Sequence, residues 1–383
     1  MRFRVKSAGY NRARDLAKIK PKVGLILRES ENTIYSDSCL LQPEERRKPH
    51  AWGKRNWFQL GVFLATIGIG LQFIIYVHQA AGNGVVTVLR PPGVEGFLPI
   101  GALMGWKLFV QTGIWDPIHP AAMVFLGFAG FISLALRKSF CGWFCPVGTL
   151  SEWLWKLGRS LFGKNYKLPI WLDFPLRGLK YLLLGFFVKI IFSMSSPDIL
   201  GFLQSPYYKI SDVKMLHFFT QMTTLAVVVL TVLVLSSLFI RNVWCRYLCP
   251  YGALMGLLAL CSPTRIQRNP DTCIGCKSCS QACPYYLPVD RKRYIISPEC
   301  NGCMECTRVC PVENTLELKT TRTGKIRWNT ARLGIIIIGI YIGMVYIAGI
   351  TGHWKSSVTE NEFHARLQTI NSPEITHPKV RFK

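Results

Sequence analysis

Fourteen cysteines in a chain of 383 residues are the side chains with the most obvious chemistry, and twelve of them fall into two repeated patterns. The first pattern has three cysteines separated by two residues each, a fourth after three more residues, and then a proline. It occurs twice, as Cys273, Cys276, Cys279, Cys283 with Pro284, and as Cys300, Cys303, Cys306, Cys310 with Pro311. This spacing is typical of segments that hold two [4Fe-4S] clusters.

The same spacing predicts how the cysteines divide between the clusters. Gly275 and Gly302 give the two loops the freedom to wrap three thiolates around one face of a cubane, and the fourth cysteine of each segment ligates the other cluster. We therefore expect one cluster on Cys273, Cys276, Cys279 and Cys310, and the other on Cys300, Cys303, Cys306 and Cys283. Structural zinc is the alternative, but pairs of thiolates do not account for the third cysteine, the longer gap and the proline, twice over. Two neighbouring clusters indicate an electron relay.

The second pattern is Arg-x3-Cys-x3-Cys-Pro-x-Gly-x-Leu, which occurs at residues 137–150 and again at residues 241–254. Its cysteines are Cys141 and Cys145 in the first copy and Cys245 and Cys249 in the second. Cysteines four apart lie on one helical face, and the proline disfavours helix at the cysteine before it. Four convergent thiols suit a third metal centre or cluster, a copper(I) site or a dithiol relay. The alternative is that they only pack or end helices, which is our interpretation of the unpaired Cys39 and Cys261.

Apolar segments predict what positions these cysteines. A helix crosses a bilayer core with about 20 apolar residues, and half of this chain is hydrophobic, which excludes a disordered protein. The predicted spans are Trp57 to Val77, Pro120 to Leu136, Tyr181 to Ser196, Leu216 to Ile240 and Leu333 to Ile350. Leu98 to Val110 is too short to cross and is expected to be interfacial or re-entrant. The fold class is therefore an all-α polytopic membrane protein of about five transmembrane helices, with a cytoplasmic α+β two-cluster ferredoxin-like insert.

Loop charges predict the orientation, because basic residues concentrate on the cytoplasmic side of a membrane. Residues 1–56, 137–180 and 241–332 hold 36 of the 46 Lys and Arg residues. This places the N-terminus and all cysteines in the cytoplasm and the C-terminus in the periplasm of a prokaryotic inner membrane. The two C-x3-C-P motifs then lie at the same depth. The net charge of +25 reflects this topology and contact with anionic lipid, and we expect no nucleic-acid partner.

The predicted domains follow from the same features. They are a basic N-terminal segment at 1–56, a transmembrane domain with four helices at 57–261, a ferredoxin domain at 262–330, a fifth helix at 331–352 and an outer tail at 353–383. The N-terminal segment is polar and is expected to contain no secretory signal, and Arg46-Arg47 is not followed by an apolar signal region at the usual distance.

Two C-x3-C-P span ends, a two-cluster segment and a further span together resemble the NapH-type family of membrane iron–sulfur proteins. That family includes YccM-like polyferredoxins and is related to the membrane part of NosR and to CcoG. The resemblance covers residues 57–350 and implies electron transfer between the quinone pool and a partner redox protein, such as an iron–sulfur protein, a multihaem cytochrome or a reductase subunit. The resemblance to CcoG implies the alternative, a copper-handling reductase or assembly factor.

Polar residues at the predicted outer ends are candidates for quinol chemistry. They are Lys107, Asp116, His78, His119, His217 and His353. Such a group can accept a hydroxyl proton, paired histidines can hold a haem, and interfacial packing is the alternative. Lys189 is a charge within a predicted span, and we take His119, Lys107 and Lys189 as the catalytic candidates. About 30 Å of hydrocarbon would separate an outer pocket from the clusters, so we favour quinone binding in the inner half, beside the C-x3-C-P cysteines.

Overall fold

Helices dominate the computed structural model, which describes residues 52–82, 86–320 and 326–370, together with Ser372 and Ile375. Cys39, Arg46-Arg47 and the predicted basic segment up to residue 51 lie outside the described residues. The helices are α1 (Lys54–Ala81), α2 (Pro99–Thr112), α3 (Pro120–Leu136), α4 (Pro146–Phe162), α5 (Ile170–Ser193), α6 (Ser196–Leu203), α7 (Pro206–Lys209), α8 (Ser211–Thr220), α9 (Thr224–Phe239), α10 (Pro250–Leu260), α11 (Ser278–Ala282), α12 (Glu305–Arg308), α13 (Thr330–Ile350) and α14 (Glu360–Gln368).

Within the described residues, α1 and α13 are individually long and apolar enough to cross a membrane. Two bent pairs meet the same criterion when each is taken as one span: α5 with α6, bent by 104°, and α8 with α9, bent by 76°. The described chain therefore offers two to four spans by length and composition, where the sequence predicted five. The first and fifth predicted spans lie inside α1 and α13.

The fourth predicted span, Leu216 to Ile240, is broken into α8 and α9, which still form one candidate span when taken together. α8 ends at Thr220, and Gln221 leaves helical geometry with φ −126° and ψ 54°. Thr223 then caps α9, since its side chain accepts a hydrogen bond of 3.3 Å from the backbone nitrogen of Ala226. Threonine at this position satisfies a free helical N–H, and a hydropathy pattern does not reveal such a local break.

α3 coincides with the second predicted span but occupies the centre of the protein. It has 17 residues, of which eleven are buried, and Phe128 and Ile132 have no exposed surface. It packs against α2, α10 and α13. These neighbours bury most of the apolar side chains of α3, whereas Phe131 and Leu134 remain exposed.

The ferredoxin segment contains a three-stranded antiparallel sheet of β1 (Thr264–Arg268), β2 (Leu316–Thr320) and β3 (Arg327–Trp328), in that order. Ile266 lies opposite Leu318 in the β1–β2 register, and both are buried. They belong to the same hydrophobic core as Phe128 and Ile132 of α3. The sheet and the membrane helices are therefore packed as one body around the cysteines.

Candidate electron-transfer site

Each C-x3-C-P motif forms the same sharp turn between two helices. A π-helical turn covers Phe140–Phe144 in the first copy and Trp244–Leu248 in the second. Cys145 and Cys249 then adopt extended backbone, with ψ of 120° and 105°, and each precedes a helix that begins with proline. The helix breaks at the second cysteine, as the sequence predicted.

The glycine of the motif lets the next helix approach the first cysteine closely. A Cβ atom at Gly148 would lie 2.4 Å from the carbonyl oxygen of Cys141, a distance that no side chain tolerates. At Gly252, the corresponding Cβ would meet Cys249 Sγ at 3.5 Å and Lys138 Nζ at 3.6 Å. The second copy is thus looser, and it places the ammonium group of Lys138 beside a motif cysteine.

The four motif cysteines line one cavity of about 660 Å³. Cys245 is within electrostatic range of the other three thiols, so the predicted convergence is present. The remaining walls are mostly aromatic and aliphatic residues of α1, α3 and α13 and of the segment around Gly96. Gly61 and Ala65 of α1 line the cavity and are exposed, so the cavity is not fully enclosed at this helix.

Lys138 is the charged residue of this cavity, and it has no visible counter-charge. Its side chain is 1% exposed, and Nζ has no hydrogen-bond partner among the described residues. By contrast, the buried Lys180 pairs with Glu299 at 2.5 Å. A buried, uncompensated ammonium costs several kcal/mol, so Lys138 fits an anionic occupant. Sequence patterns did not single it out; the available signal was its place in the repeat, where the second copy has Asn242.

The four cysteines and Lys138 together fit a metal–thiolate centre. Cysteine binds metal in its thiolate form, and four thiolates supply the negative counter-charge for the Lys138 ammonium group. Among the residues with described positions, no three His, Cys, Asp or Glu side chains are close enough to share one metal ion.

The ferredoxin cysteines gather in the two sets expected from the crossed spacing. One small cavity is lined by Cys283, Cys300, Cys303 and Cys306, and a second by Cys273, Cys276, Cys279 and Cys310. Gly275 and Gly302 have φ of +73° and +60°, so the backbone freedom predicted for them is confirmed. The structure places each set around a shared space, as a cubane requires. We name the first set the inner cluster site and the second set the outer cluster site, where inner means nearer to the C-x3-C-P turns and does not refer to a side of the membrane.

The inner cluster site lies directly against the first C-x3-C-P turn. Trp143 Nε1 donates a hydrogen bond of 3.1 Å to the carbonyl oxygen of Gly302. A Cβ atom at Gly142 would lie 2.6 Å from the carbonyl oxygen of Asn301. Tyr285, which is buried, lines the inner cluster site and is also within electrostatic range of Cys141 and Cys245. The two groups of cysteines are thus connected by packed protein.

Arg55 at the start of α1 contacts the first C-x3-C-P turn, α4 and the ferredoxin domain. Its Nε donates a hydrogen bond of 2.9 Å to the carbonyl oxygen of Gly142, its guanidinium pairs with Glu152 of α4, and it approaches Glu305 of the ferredoxin domain at 3.6 Å. Burial raises the pKa of Glu152, but the charges of Arg55 and Lys156 outweigh burial and lower that pKa to about 2. The carboxylate therefore stays ionised, and the ion pair is weakened only as the pH falls from about 4.5 toward 2.

Replacement of Arg55 by methionine should loosen the junction. Removing one partner of a buried ion pair leaves the other uncompensated and costs roughly 3–5 kcal/mol. We expect thermal loss of cluster absorbance at a clearly lower temperature. The matched control is Lys54→Met, because Lys54 is the exposed neighbour of Arg55 in the same helix turn. Equal transition temperatures for the two variants would contradict the proposed role of Arg55.

The three catalytic candidates from the sequence lie away from the cavity walls and make separate contacts. Lys107 donates hydrogen bonds to backbone carbonyls at the end of α5, including Ile191 at 3.0 Å. His119 is buried, with Nδ1 3.3 Å from Glu95 and Nε2 2.8 Å from the carbonyl oxygen of Tyr208. Lys189 is exposed on α5. Their catalytic roles stay predictions.

The other outer candidates also have local partners. Asp116 accepts a hydrogen bond of 2.7 Å from the hydroxyl of Tyr208, and the ring of His353 packs edge-on against Trp115. His78 and His217 lie in the last turns of α1 and α8. The cavity beside the motif cysteines is therefore the better candidate for a substrate site.

Comparison with known protein families finds 4Fe-4S domains at both groups of cysteines. A 4Fe-4S binding domain matches residues 118–165 and 222–268, which contain the two C-x3-C-P motifs, and a 4Fe-4S dicluster domain matches residues 265–329. The chain is 43% identical over 336 residues to the putative electron transport protein YccM of Escherichia coli (strain K12), an alignment that covers 86% of this chain and 93% of YccM.

More distant relatives share parts of the chain. Protein NirI of Paracoccus denitrificans is 29% identical over 242 residues, or 62% of this chain and 31% of NirI. The methylamine utilization ferredoxin-type protein MauN of Methylobacillus flagellatus is 24% identical over 196 residues, or 50% of this chain and 62% of MauN. No solved structure matches the chain significantly.

Apolar helices around clustered cysteines, with 4Fe-4S domains in both halves of the site, define an iron–sulfur electron-transport protein of the membrane. Identity along nearly the whole length of YccM makes the assignment more specific. The chain belongs to the YccM-like family of membrane-bound polyferredoxins.

Proposed function

We propose that the protein oxidises a membrane quinol in the cavity beside the C-x3-C-P cysteines. The electrons then pass by way of these cysteines to the inner and then the outer cluster site, and on to a partner redox protein. One observation supports the proposal above all: the four motif cysteines form a wall of a large, mostly apolar cavity that is not fully enclosed. We place its opening toward lipid, so that a quinol reaches it without entering water.

The walls suit a quinol headgroup with an apolar tail. A volume of about 660 Å³ is within the range of roughly 300–1,000 Å³ for small-molecule sites, which combine apolar walls with a few polar groups. Lys138, Tyr251 and Tyr341 supply polar atoms among the aromatic and aliphatic lining. This position also removes the need for electrons to cross the hydrocarbon from an outer pocket.

The number of electrons released by quinol oxidation fits the cluster sites that the chain provides. Oxidation of a quinol to a quinone releases two electrons and two protons. The electrons match the two ferredoxin cluster sites at one electron each, and the protons leave to water. We further propose that the four C-x3-C-P cysteines hold a third iron–sulfur centre, which when bound supplies a one-electron relay. The match of a 4Fe-4S binding domain to both motifs and the uncompensated charge of Lys138 support this proposal.

The proposed topology follows the basic loops. We place the ferredoxin domain at 262–330 in the cytoplasm and the tail after residue 353 in the periplasm of a prokaryotic inner membrane. The transmembrane domain at 57–261 and the helix at 331–352 hold the quinol site. The concentration of Lys and Arg in the loops on one side supports this orientation.

Filling the cavity tests the quinol proposal. Gly61→Leu should slow reduction of the clusters by a water-soluble menaquinol analogue by about tenfold or more, because the new side chain occupies space at the opening. Gly68→Leu is the matched control: both glycines lie on α1 with open space around them, but Gly68 does not line the cavity. Reduction by dithionite should be unchanged in both variants. If quinol reduces the clusters of the two variants at the same rate, the quinol binds elsewhere in the protein.

A copper-handling reductase or assembly factor is the second candidate. Four convergent cysteine thiols favour it, because soft sulfur ligands select copper(I). In that case the motif cysteines bind copper, and the ferredoxin domain supplies the electrons that reduce it.

A further inference from the structure

The ferredoxin domain has more basic than acidic residues, and two of its acids are used in contacts with the membrane helices. Residues 262–330 contain eleven Lys and Arg residues against six Asp and Glu residues. Two of these acids face the membrane helices, where Glu299 pairs with Lys180 at 2.5 Å and Glu305 approaches Arg55 at 3.6 Å. The surface that remains is therefore basic.

The basic side chains concentrate at the outer cluster site. Arg268 and Lys277 line that site. The segment from Arg291 to Arg293 lies along the same edge, since Arg268 N donates a hydrogen bond of 2.8 Å to the carbonyl oxygen of Arg293. All except Arg268 are exposed residues, and the side chain of Arg291 is 80% exposed. We call these residues the basic face: Arg268, Lys277, Arg291, Lys292 and Arg293.

The basic face points away from the helices that carry the C-x3-C-P motifs. β1 begins beside α3, where Thr264 Oγ1 donates a hydrogen bond of 2.9 Å to the carbonyl oxygen of Ala135. It ends four residues later at Arg268, and strand geometry gives about 13 Å for that distance. The segment after Arg293 runs back alongside β1 to Ser297, whose carbonyl oxygen accepts a hydrogen bond of 2.8 Å from Arg137.

Acidic residues nearby do not cancel this charge. Asp290 also lines the outer cluster site; its carboxylate accepts a hydrogen bond from Ser280 Oγ and lies 3.8 Å from Arg291. Asp271 and Glu313 are exposed in the loops that adjoin the outer cluster site. Three acids, Asp290, Asp271 and Glu313, thus adjoin five basic side chains, so the excess charge at this edge is positive.

We propose that the basic face is the docking site of an acidic one-electron carrier protein. The inference rests on the proposed function, since it takes the outer cluster site as the point where electrons leave or enter. In each encounter the oxidised partner gains one electron and this protein loses one; no bond is made or broken and no proton moves. Complementary charge orients the partner toward the outer cluster site and raises its association rate.

Binding to a probe of known charge tests the proposal. The full-length, cluster-loaded protein is placed in phosphatidylcholine nanodiscs, and its affinity for an acidic [2Fe-2S] ferredoxin is measured in the oxidised state. We expect binding at low ionic strength that weakens steeply with salt, and no binding to a basic cytochrome c. The double variant R291E/K292E should bind the ferredoxin about tenfold or more weakly. The matched control K164E/K167E reverses two exposed lysines between α4 and α5.

Three outcomes would overturn the proposal. They are unchanged ferredoxin affinity in R291E/K292E, an equal loss in K164E/K167E, and disappearance of the affinity difference between R291E/K292E and the unaltered protein when phosphatidylglycerol is added to the nanodiscs, which would show that lipid covers the face. No quinol enters this measurement. A failure of quinol oxidation therefore leaves the binding result intact, and a failure of binding leaves the quinol result intact.

Discussion

Replacement of both Cys245 and Cys249 by serine is expected to abolish reduction of the ferredoxin clusters by quinol while leaving them reducible by dithionite. Serine keeps the shape of the turn, including an N-cap oxygen in place of the Cys249 sulfur that accepts a hydrogen bond of 3.2 Å from Gly252 N. It removes two of the four thiolates that face the cavity. Iron content should fall by about four atoms per chain if these cysteines hold a [4Fe-4S] centre. Anaerobic EPR with a menaquinol analogue, followed by dithionite, measures both effects.

The control for this variant is Cys261→Ser, because Cys261 is exposed and does not line the cavity. It should retain full iron content and quinol-driven reduction. Unaltered quinol-driven reduction in the Cys245/Cys249 variant would exclude an electron route through the motif. Loss of stoichiometric copper with quinol oxidation intact would favour the copper-handling alternative. A silent EPR spectrum of the unaltered protein after dithionite would exclude the two ferredoxin clusters.

Covalent spacing made the ferredoxin sites predictable. Cysteines two residues apart share a loop, and the fourth cysteine must reach the other site, so sequence alone was enough to predict which four residues line each cavity. The helix break at Cys145 and Cys249 was predictable for the same reason, because the following proline acts on its immediate neighbour. Both inferences depend on residues close together in the chain.

Hydropathy was a weaker guide to the membrane helices. It responds to burial, and burial in protein and burial in lipid select the same side chains. α3 is apolar and lies at the protein centre, whereas the broken pair α8 and α9 reads as one apolar run. The small polar groups that decide such a break, here the cap at Thr223, carry little weight in a hydropathy average.

The contacts that organise the site were not predictable, because they join residues far apart in the sequence. Arg55 meets Glu152 across 97 residues, and Lys180 meets Glu299 across 119. The residues that neighbour Arg55 or Lys180 in the sequence do not specify which acidic residue it pairs with. Likewise, the outer polar residues were chosen from the sequence for their residue types alone. In the structure Lys107 and His119 contact other residues, and the charged residue that lines the cavity is Lys138.

Replacement of Lys138 by methionine should lower the midpoint potential of the centre on the four C-x3-C-P cysteines. Reduction adds negative charge, which a buried ammonium stabilises; its removal makes reduction harder. A unit charge about 6 Å away at an effective dielectric of 20 is worth roughly 3 kcal/mol, so we expect a shift of up to about 100 mV toward negative values. Quinol-driven reduction of the ferredoxin clusters should slow accordingly, and redox titration followed by EPR measures the potential directly.

Two further variants distinguish this electrostatic role from simple packing. Lys138→Arg keeps the charge and should restore most of the potential, whereas Lys164→Met removes an exposed lysine outside the cavity and should leave the potential unchanged. Loss of the centre itself in Lys138→Met, seen as lower iron content, would also support charge compensation, because four thiolates without a nearby cation hold metal less favourably. An unchanged potential with full iron content would show that the Lys138 ammonium does not face the motif cysteines, and the main support for an anionic centre there would be lost.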